Sequence, residues 1–257
     1  MNNRIGKEMT KIAVQIYEIQ DPWEAEKMIE LGVDHLGSVI LNEEDWKIES
    51  IKDVVRLTEG TAVKNSLIPL FNTPETIFRL IEYHVPHFIH FCETLTNEYR
   101  QKRRYNDLID LQHSIKEAFP QIKIMRSIPI GIGGKQNSVP TLEIAKDFEP
   151  VSDCFLTDTW LGKEPVEGFI GITGKTCDWN VARKLVCASS IAVMLAGGMS
   201  PDNVYEGVKA VRPFGVDSCT HTNATDSKGK PIRFQKDLGK VKKFIEETQR
   251  AATNAGL

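Results

Sequence analysis

The chain has 257 residues, of which 41% are hydrophobic and 26% are charged, and its formal net charge is −3. This composition is typical of a folded globular protein and excludes disordered, collagen-like and disulfide-stapled classes. The balanced charge and a pI near 6.1 argue against general binding to nucleic acid.

Neither a membrane span nor a secretory signal is visible. The longest apolar stretches, such as residues 190–196, fall far short of the roughly 20 residues that a spanning helix needs. Residues 1–10 carry charges and lack the apolar centre of a signal peptide. Five cysteines at irregular spacings, with no CxxC pair, indicate free thiols in a reducing compartment. We therefore expect a cytoplasmic protein with no membrane partner.

Short apolar runs alternate with amphipathic segments along the chain. Asp21 and Pro22 are residue types that cap and open a helix, and Thr73 and residues 200–202 predict similar helix starts. The predicted strands are residues 11–17, 34–40, 62–70, 87–92, 122–128, 152–157, 190–195 and 215–218. The predicted helices are residues 23–31, 48–57, 74–82, 105–118, 139–148, 178–186, 203–211 and 236–252.

Strands that are each followed by a helix indicate parallel βαβ units. Eight such units predict the α/β class and a single-domain (β/α)8 TIM barrel over residues 1–257. A doubly wound open sheet has the same alternation, and periodicity alone does not separate the two. In a barrel, functional side chains lie at the carboxyl ends of the strands. This rule selects Tyr17, Glu18, Asn42, Asn72, Cys92, Glu93, Arg126, Asp158, Gly197, Gly198 and Asp217.

Segment 195–204, LAGGMSPDNV, passes from a strand through two glycines into a Ser-Pro helix start. Gly197 and Gly198 allow the backbone to approach a ligand closely, and N–H groups at a helix start bind anions. In barrels, the loops after the seventh and eighth strands often bind phosphate. A phosphate site and a simple tight turn are both compatible with this segment.

Segment 171–176, GITGKT, is similar to the end of a P-loop. Phe169 stands where that motif needs its first glycine, and no apolar strand directly precedes it, so an NTPase site is disfavoured. A loop that closes over a ligand fits better, with Lys175 facing an anionic substrate.

Asp158 ends a predicted strand and can act as a general acid or base if burial raises its pKa. A helix cap or a salt bridge is the alternative interpretation. His84, His87 and His90 are spaced by three residues, but Pro86 interrupts a helix there. We expect no metal site.

Several segments together resemble the phosphoribosylanthranilate isomerases of tryptophan biosynthesis. They are residues 14–19 (VQIYEI), 31–37 (LGVDHLG), 171–179 (GITGKTCDW), 195–204 and 211–218 (VRPFGVDS), with Lys236, Asp237, Lys240 and Phe244 in the last helix. The resemblance runs in order along nearly the whole chain and is most specific in the C-terminal third. It implies a (β/α)8 barrel.

The resemblance also implies an activity. In that family a phosphorylated aminoaldose is opened and converted to a 1-amino-2-ketose, an Amadori rearrangement that needs no cofactor. A cysteine at the end of the first strand is the base, and an aspartate at the end of the sixth strand is the acid. Here Asp158 occupies the acid position and Asp217 that of a substrate-contacting aspartate. Gly197 and Gly198 occupy the phosphate loop.

Elsewhere the chain departs from the family pattern. Tyr17 replaces the base cysteine, and a tyrosine with its ordinary pKa near 10 is a poor base at neutral pH. Glu18 is adjacent but faces away if the strand stays regular. Residues 42–47 (NEEDWK) replace the segment whose arginine meets the anthranilate carboxylate. Residues 90–93 (HFCE) replace Gln-Leu-His-Gly, and residues 219–221 (CTH) replace Ser-Ser-Gly.

The extra length of the chain lies near residues 95–106 and 224–235. We expect an isomerase of a phosphorylated sugar-like substrate, monomeric or homodimeric. The predicted catalytic residues are Asp158 as acid, with Tyr17, Cys92 or His90 in place of the missing base. The predicted substrate contacts are His90, Arg126, Lys175 and Asp217, and the predicted phosphate contacts are Gly197, Gly198, Ser218 and Thr220.

Two other classes stay open. A non-catalytic or regulatory paralogue that binds a phosphorylated metabolite on the same barrel fits the loss of the cysteine. A lyase with a Schiff-base lysine is disfavoured, because Lys64 and Lys123 are the only strand lysines that come into question and their register is not fixed by the sequence.

Overall fold

A computed structural model describes residues 11–97, 99–133 and 139–257. Residues 1–10, for which the sequence predicts no signal peptide, lie outside the described part, as does part of the 95–106 segment. Eight parallel strands form a closed barrel in chain order, so the TIM-barrel prediction is confirmed and the open sheet is excluded. The strands are β1 (Ala13–Ile16), β2 (His35–Ile40), β3 (Lys64–Pro69), β4 (Phe88–Phe91), β5 (Lys123–Gly131), β6 (Cys154–Trp160), β7 (Ala192–Leu195) and β8 (Gly215–Ser218).

Each barrel strand is followed by a helix that packs on the outside. The helices are α1 (Pro22–Leu31), α2 (Glu49–Leu57), α3 (Pro74–His84), α4 (Asn106–Ala118), α5 (Thr141–Phe148), α6 (Trp179–Ala188), α7 (Val204–Val211) and α8 (Leu238–Ala255). Their buried apolar side chains face outward-pointing strand residues and form the main core. No helix among the described residues is long and apolar enough to cross a bilayer.

Two helix starts differ from the sequence expectation. The Asp21 carboxylate accepts a hydrogen bond from the Glu24 amide at 3.1 Å, as predicted for a cap. The Thr73 hydroxyl does not cap α3 and instead donates to Glu43 at 2.9 Å. Residues 200–202 form a turn, and α7 begins only at Val204 because the Asn203 side chain holds that turn closed.

The extra segment near residues 224–235 contains a hairpin that the sequence did not predict. Strand β9 (Asn223–Thr225) pairs antiparallel with β10 (Pro231–Lys236), and Gly229 has the positive φ of a tight turn. The hairpin follows β8 and precedes α8. It therefore stands at the carboxyl ends of β8 and β1.

Candidate active site

A cavity lies at the carboxyl ends of the barrel strands, where TIM-barrel proteins hold their functional residues. Its polar lining consists of Tyr17, Glu18, His90, Cys92, Ser127, Asp158, Thr173, Asp217, Ser218, Cys219, Thr220 and His221. Glycines 171, 174, 197 and 198 and apolar side chains such as Ile68, Leu70 and Phe169 complete it. Of these polar side chains, the strand-end rule selected Tyr17, Glu18, Cys92, Asp158 and Asp217, whereas its other polar choices, Asn42, Asn72, Glu93 and Arg126, do not line the cavity.

The loop between β6 and α6 roofs this cavity. On one side its backbone pairs with the segment after β4, with Ile170 N donating to Cys92 O and Thr94 N donating to Gly168 O, both at 2.8 Å. On the other side the His221 ring nitrogen lies 3.0 Å from Gly174 O. The loop is thus joined to the rim at both edges, which agrees with a loop that covers a ligand and not with a P-loop.

Asp158 lies under this roof at the end of β6. One carboxylate oxygen accepts a hydrogen bond from the Thr159 amide at 2.9 Å. A side chain at position 171 would come within 2.7 Å of the other oxygen, so Gly171 leaves the space that this carboxylate uses. Burial, reinforced by the charge of Asp217, raises the pKa of Asp158 to about 7. Asp158 can therefore carry a proton near neutral pH and release it.

Asp217 belongs to the same cavity, one strand beyond β7. Its Oδ1 accepts a hydrogen bond from the Gln15 amide at 3.1 Å, and Gln15 is its register partner on β1. Burial raises the pKa of Asp217 to about 7, although the Gln15 hydrogen bond and the nearby Lys236 charge oppose the rise. The structure thus brings two carboxyl groups into one cavity, with Asp217 buried and Asp158 half-buried.

Tyr17 occupies the position where the resembled family has its base. Its hydroxyl lies 2.7 Å from Ser66 Oγ and 2.6 Å from His90 Nδ1, and His90 Nε2 lies 2.9 Å from Ser127 Oγ. Gly37 on β2 leaves room for the ring, because a Cβ there would lie 2.2 Å from Tyr17 Cδ1. Burial raises the Tyr17 pKa well above 10. The hydroxyl is therefore part of a satisfied polar layer, and its environment does not favour a base.

His90 and Cys92, on β4 and just after it, line the cavity but are equally poor bases. Burial lowers the His90 pKa to about 3, which keeps the ring neutral and fixed between its two partners. Burial and the charges of Glu93 and Asp158 raise the Cys92 pKa well above 9, so its thiol stays protonated. The expectation that Tyr17, Cys92 or His90 takes the base position finds no support in their surroundings.

Glu18 lines the cavity, contrary to the expectation that it faces away. Strand β1 ends at Ile16, and Glu18 has a left-handed backbone with φ of 66°, which turns its carboxylate inward. Arg233 of the hairpin donates to Glu18 Oε1 from Nε at 2.7 Å and from Nη2 at 2.6 Å. Asn223 lies 3.4 Å from the other oxygen. Arg233 was missed because only the fold brings the inserted hairpin to β1.

The predicted phosphate residues meet on the β7 and β8 side of the cavity. Gly197 and Gly198 both have positive φ, and added Cβ atoms would lie 2.4 Å from Thr159 Oγ1 and 2.5 Å from Lys175 C. These glycines therefore also let the loop after β7 pack against the roof. Ser218 donates its hydroxyl to Met199 O at 2.9 Å, which leaves Thr220 and the backbone nearer to a ligand.

The structure does not bring Arg126 or Lys175 into the cavity lining. Arg126 is fully buried in the wall between the barrel and the helices, where its guanidinium donates to Glu93 at 2.5 Å and to Gln112 at 2.7 Å. Lys175 is exposed on the roof, where its backbone amide donates to the Thr173 hydroxyl at 3.2 Å and its carbonyl oxygen accepts from the Thr159 hydroxyl at 2.6 Å. No group of three or more potential ligands able to hold a metal ion occurs among the described residues.

A model of the N-(5'-phosphoribosyl)anthranilate isomerase family matches residues 110–247. An enzyme of that name from Methanocella arvoryzae is 36% identical over 140 residues, which are 54% of this chain and 57% of the relative. One from Methanosarcina acetivorans is 24% identical over 247 residues, 95% of each chain. The chain covers only about half of the length of the Methanocella relative and of two isomerases from Methanosarcina mazei.

Solved structures agree on the fold. The phosphoribosylanthranilate isomerase of Thermotoga maritima superposes with a TM-score of 0.67 at 22% identity, covering 93% of this chain and 99% of that one. A thiamine phosphate pyrophosphorylase from Pyrococcus furiosus also superposes, with a TM-score of 0.58 at 16% identity over 96% and 97%. Fold likeness thus extends beyond one activity. The family match over more than half of the sequence is what decides that this chain belongs to the phosphoribosylanthranilate isomerase family.

Proposed function

We propose that this protein catalyses an Amadori-type isomerisation of a phosphorylated aminoaldose, with phosphoribosylanthranilate as the first substrate to test. The observation that carries the proposal is the placement of Asp158. A carboxyl group with a pKa of about 7 stands in a roofed cavity, beside the glycine loop after β7 and the loop after β8. Family membership adds support.

In the proposed reaction, the substrate phosphate binds to the loops that contain Gly197, Gly198 and Thr220. The protonated Asp158 donates to the ring oxygen, so that the C1–O bond breaks and the nitrogen lone pair forms a C1=N iminium. A base then removes the C2 proton, and the resulting enolamine becomes the 1-amino-2-ketose. The roof excludes water from the cavity during these steps, which strengthens the electrostatic interactions between the substrate and the side chains that line the cavity.

A solved member of the family, 20% identical to this chain, was crystallised with reduced 1-(o-carboxyphenylamino)-1-deoxyribulose 5-phosphate. This product analogue is a suitable probe for the cavity. The proposed setting is tryptophan biosynthesis in the cytoplasm.

The alternative is a paralogue that binds a phosphorylated metabolite without turnover. One observation favours it: the position of the family's base is filled by Tyr17, whose hydroxyl is already hydrogen-bonded to Ser66 and His90.

The test is to mix the pure protein with freshly made phosphoribosylanthranilate and to follow the decay of its fluorescence. Spontaneous breakdown is measured without protein. Asp158→Asn is the active-site variant, and Asp110→Asn, at an exposed site on α4, is its matched control. We expect turnover that Asp158→Asn lowers ~1,000-fold, since general acid catalysis contributes about 10²–10⁴-fold. Analogue binding without turnover would establish the alternative.

A further inference from the structure

The cavity lining includes eight side chains with an acid or base function, namely Tyr17, Glu18, His90, Cys92, Asp158, Asp217, Cys219 and His221. His221 is exposed at the rim, where its ring nitrogen lies 3.0 Å from the Gly174 carbonyl oxygen. We propose that Asp217 is the general base of the isomerisation, taking the C2 proton while Asp158 protonates the ring oxygen. This inference rests on the proposed function and replaces the family's cysteine on β1 with a carboxylate on β8.

The position of Asp217 suits this role. Strand β8 closes the barrel against β1, with Asp217 beside Gln15 and Tyr17 N donating to Ser218 O at 3.1 Å. Asp217 therefore lies on the strand next to the position that the family uses for its base. Only β7 separates β8 from β6, so a small substrate in the cavity can contact Asp217 and Asp158 together.

The hydrogen bonding of Asp217 also leaves it able to accept a proton. Its Oδ1 accepts from Gln15, and its Oδ2 accepts no hydrogen bond from any of the described residues. The residue is 7% exposed, and it lines the cavity. A carboxylate oxygen that is shielded from bulk water and faces a ligand space has the geometry that a general base needs.

Glu18 is the competing carboxylate, and its contacts disfavour it. Arg233 donates two hydrogen bonds to its Oε1, and Asn223 donates to its Oε2. These are charge-assisted hydrogen bonds, so the lone pairs of the Glu18 carboxylate are committed to the hairpin. Glu18 therefore holds the β9–β10 hairpin at the rim of the barrel, and Asp217 is the carboxylate that can accept a proton from the substrate.

The charges around Asp217 are compatible with a base that works near neutral pH. The ionisable groups that face it are Asp158 from β6, Tyr17 from β1, Cys219 after β8 and Lys236 from β10. Two carboxyl groups that repel each other in one buried cavity favour the state with one proton between them. That state supplies one acid and one base to the same substrate.

The protons balance over a full cycle. The Asp158 carboxyl gives its proton to the ring oxygen as the C1–O bond breaks, and the Asp217 carboxylate takes the proton from C2 as the C1=C2 bond of the enolamine forms. The Asp217 carboxyl then returns a proton to C1, and the proton of the C2 enol hydroxyl passes to the Asp158 carboxylate as the ketone forms. Both side chains end in their starting states.

The experiment compares wild type, Asp217→Asn and Asp110→Asn in turnover of phosphoribosylanthranilate and in affinity for the reduced product analogue. Loss of a base predicts a kcat ~1,000-fold lower for Asp217→Asn, with the Kd of the analogue changed less than about threefold. Its pH–rate profile should lose the limb at acidic pH that wild type shows. Circular dichroism checks that the variant is folded.

Chemical rescue gives an independent readout. In Asp217→Ala, added formate should fill the vacated space and raise kcat at least about tenfold, while formate should leave Asp217→Asn unchanged because the amide still occupies the site.

Each result counts for or against the base. If wild type turns over and Asp217→Asn keeps more than about a tenth of its kcat, Asp217 is not the base although the proposed function stands. Equal losses of kcat and analogue affinity, without formate rescue, would make Asp217 a binding residue. If wild type itself shows no turnover, the proposed function fails and the base assignment fails with it.

Discussion

Two groups of charged side chains, one in the wall of the barrel and one in the cavity, differ in what surrounds them. Arg126 and Glu93 lie in the wall between the barrel and its helices and are paired to each other, with Gln112 as a further acceptor. Asp158 and Asp217 line the cavity, and neither has a cationic side chain within hydrogen-bonding distance among the described residues. Three of these four side chains are buried and Asp158 is half-buried, so the presence of a charged partner, more than burial, distinguishes the pair in the wall from the two carboxyl groups that we propose as acid and base.

The Tyr17 and His90 layer belongs with the first group. Its polar atoms are hydrogen-bonded to Ser66 and Ser127, and burial keeps the phenol protonated and the imidazole neutral. On the side of the mouth formed by β1, β3, β4 and β5, the Tyr17 phenol and the His90 ring therefore keep one protonation state near neutral pH. The side formed by β6 and β8 carries the groups whose protonation can change near neutral pH.

The largest expected effect is a loss of stability when Arg126, the cation of the buried Arg126–Glu93 pair, is removed. Arg126→Met leaves the Glu93 carboxylate buried without its cation, which should lower the free energy of unfolding by about 3–5 kcal/mol. The KM of the isomerase reaction should be unchanged, because Arg126 does not reach the cavity. Urea unfolding and steady-state kinetics measure the two quantities.

Glu93→Gln on the Arg126→Met background removes the stranded charge and should restore part of that stability. A tenfold higher KM for Arg126→Met with an unchanged free energy of unfolding would instead show that Arg126 contacts the substrate, as the sequence predicted.

A second effect should appear at the roof. Gly171→Ala forces a methyl group to within 2.7 Å of Asp158 Oδ2, so the roof or the carboxylate must shift. We expect kcat to fall ~30-fold, since displacements near 1 Å at a reacting group cost up to about 10²-fold. Gly168→Ala is the matched control: it has a similarly positive φ, 83° against 114°, but its Cβ meets nothing within 4 Å. If both variants lose the same activity, backbone strain and not the contact with Asp158 is the cause.

A smaller effect is expected at the position of the family's base. Tyr17→Phe removes the hydroxyl shared with Ser66 and His90, which should cost about 1–2 kcal/mol of stability because buried partners lose a hydrogen bond. Its kcat should stay within about threefold of wild type. Tyr83→Phe, near the surface, is the control and should be less destabilised in thermal unfolding. A drop of 100-fold or more in Tyr17→Phe kcat would place the phenol in the chemistry.

The smallest effect concerns stability as a function of pH. The folded-state pKa of Asp158, about 7, lies above its ordinary value of 3.8, so the folded protein holds this proton more tightly than the unfolded chain. The associated stability is fully present below pH ~4 and is lost as pH rises through about 7. Asp158→Asn removes this dependence.

We therefore expect Asp158→Asn to be more stable than wild type by about 1 kcal/mol at pH 8, with the advantage smaller at pH 5.5. Urea unfolding at both pH values measures it, and the difference between the two proteins cancels the contributions of groups that do not interact with Asp158. An advantage that grows at low pH would contradict the raised pKa.

The sequence predicted the fold and many of the residues that line the cavity. The alternation of short apolar runs and amphipathic helices predicted eight βα units, and the family resemblance supported a closed barrel over an open sheet, which the structure confirms. The rule that function lies at strand ends then selected Asp158, Asp217, Cys92, Gly197 and Gly198, and all of them line the cavity. Their roles stay predictions, as does the single-domain organisation.

The tertiary structure decided the direction of individual side chains. Alternation along β5 puts Ser127 into the cavity and its neighbour Arg126 into the outer wall, and an error of one residue in register exchanges the two. Strand β1 stops one residue before Tyr17, so the left-handed Glu18 turns inward against the expected alternation.

Long-range contacts were equally hidden from the sequence. Arg233 reaches Glu18 across 215 residues, and the roof loop joins the segment after β4. The sequence by itself determined the family, the barrel and which residue types gather at its mouth, because those follow from local patterns. Which of these residues are paired, and which stay free to move a proton, was decided only by packing, because a carboxyl group's pKa depends on neighbours that are distant in the chain.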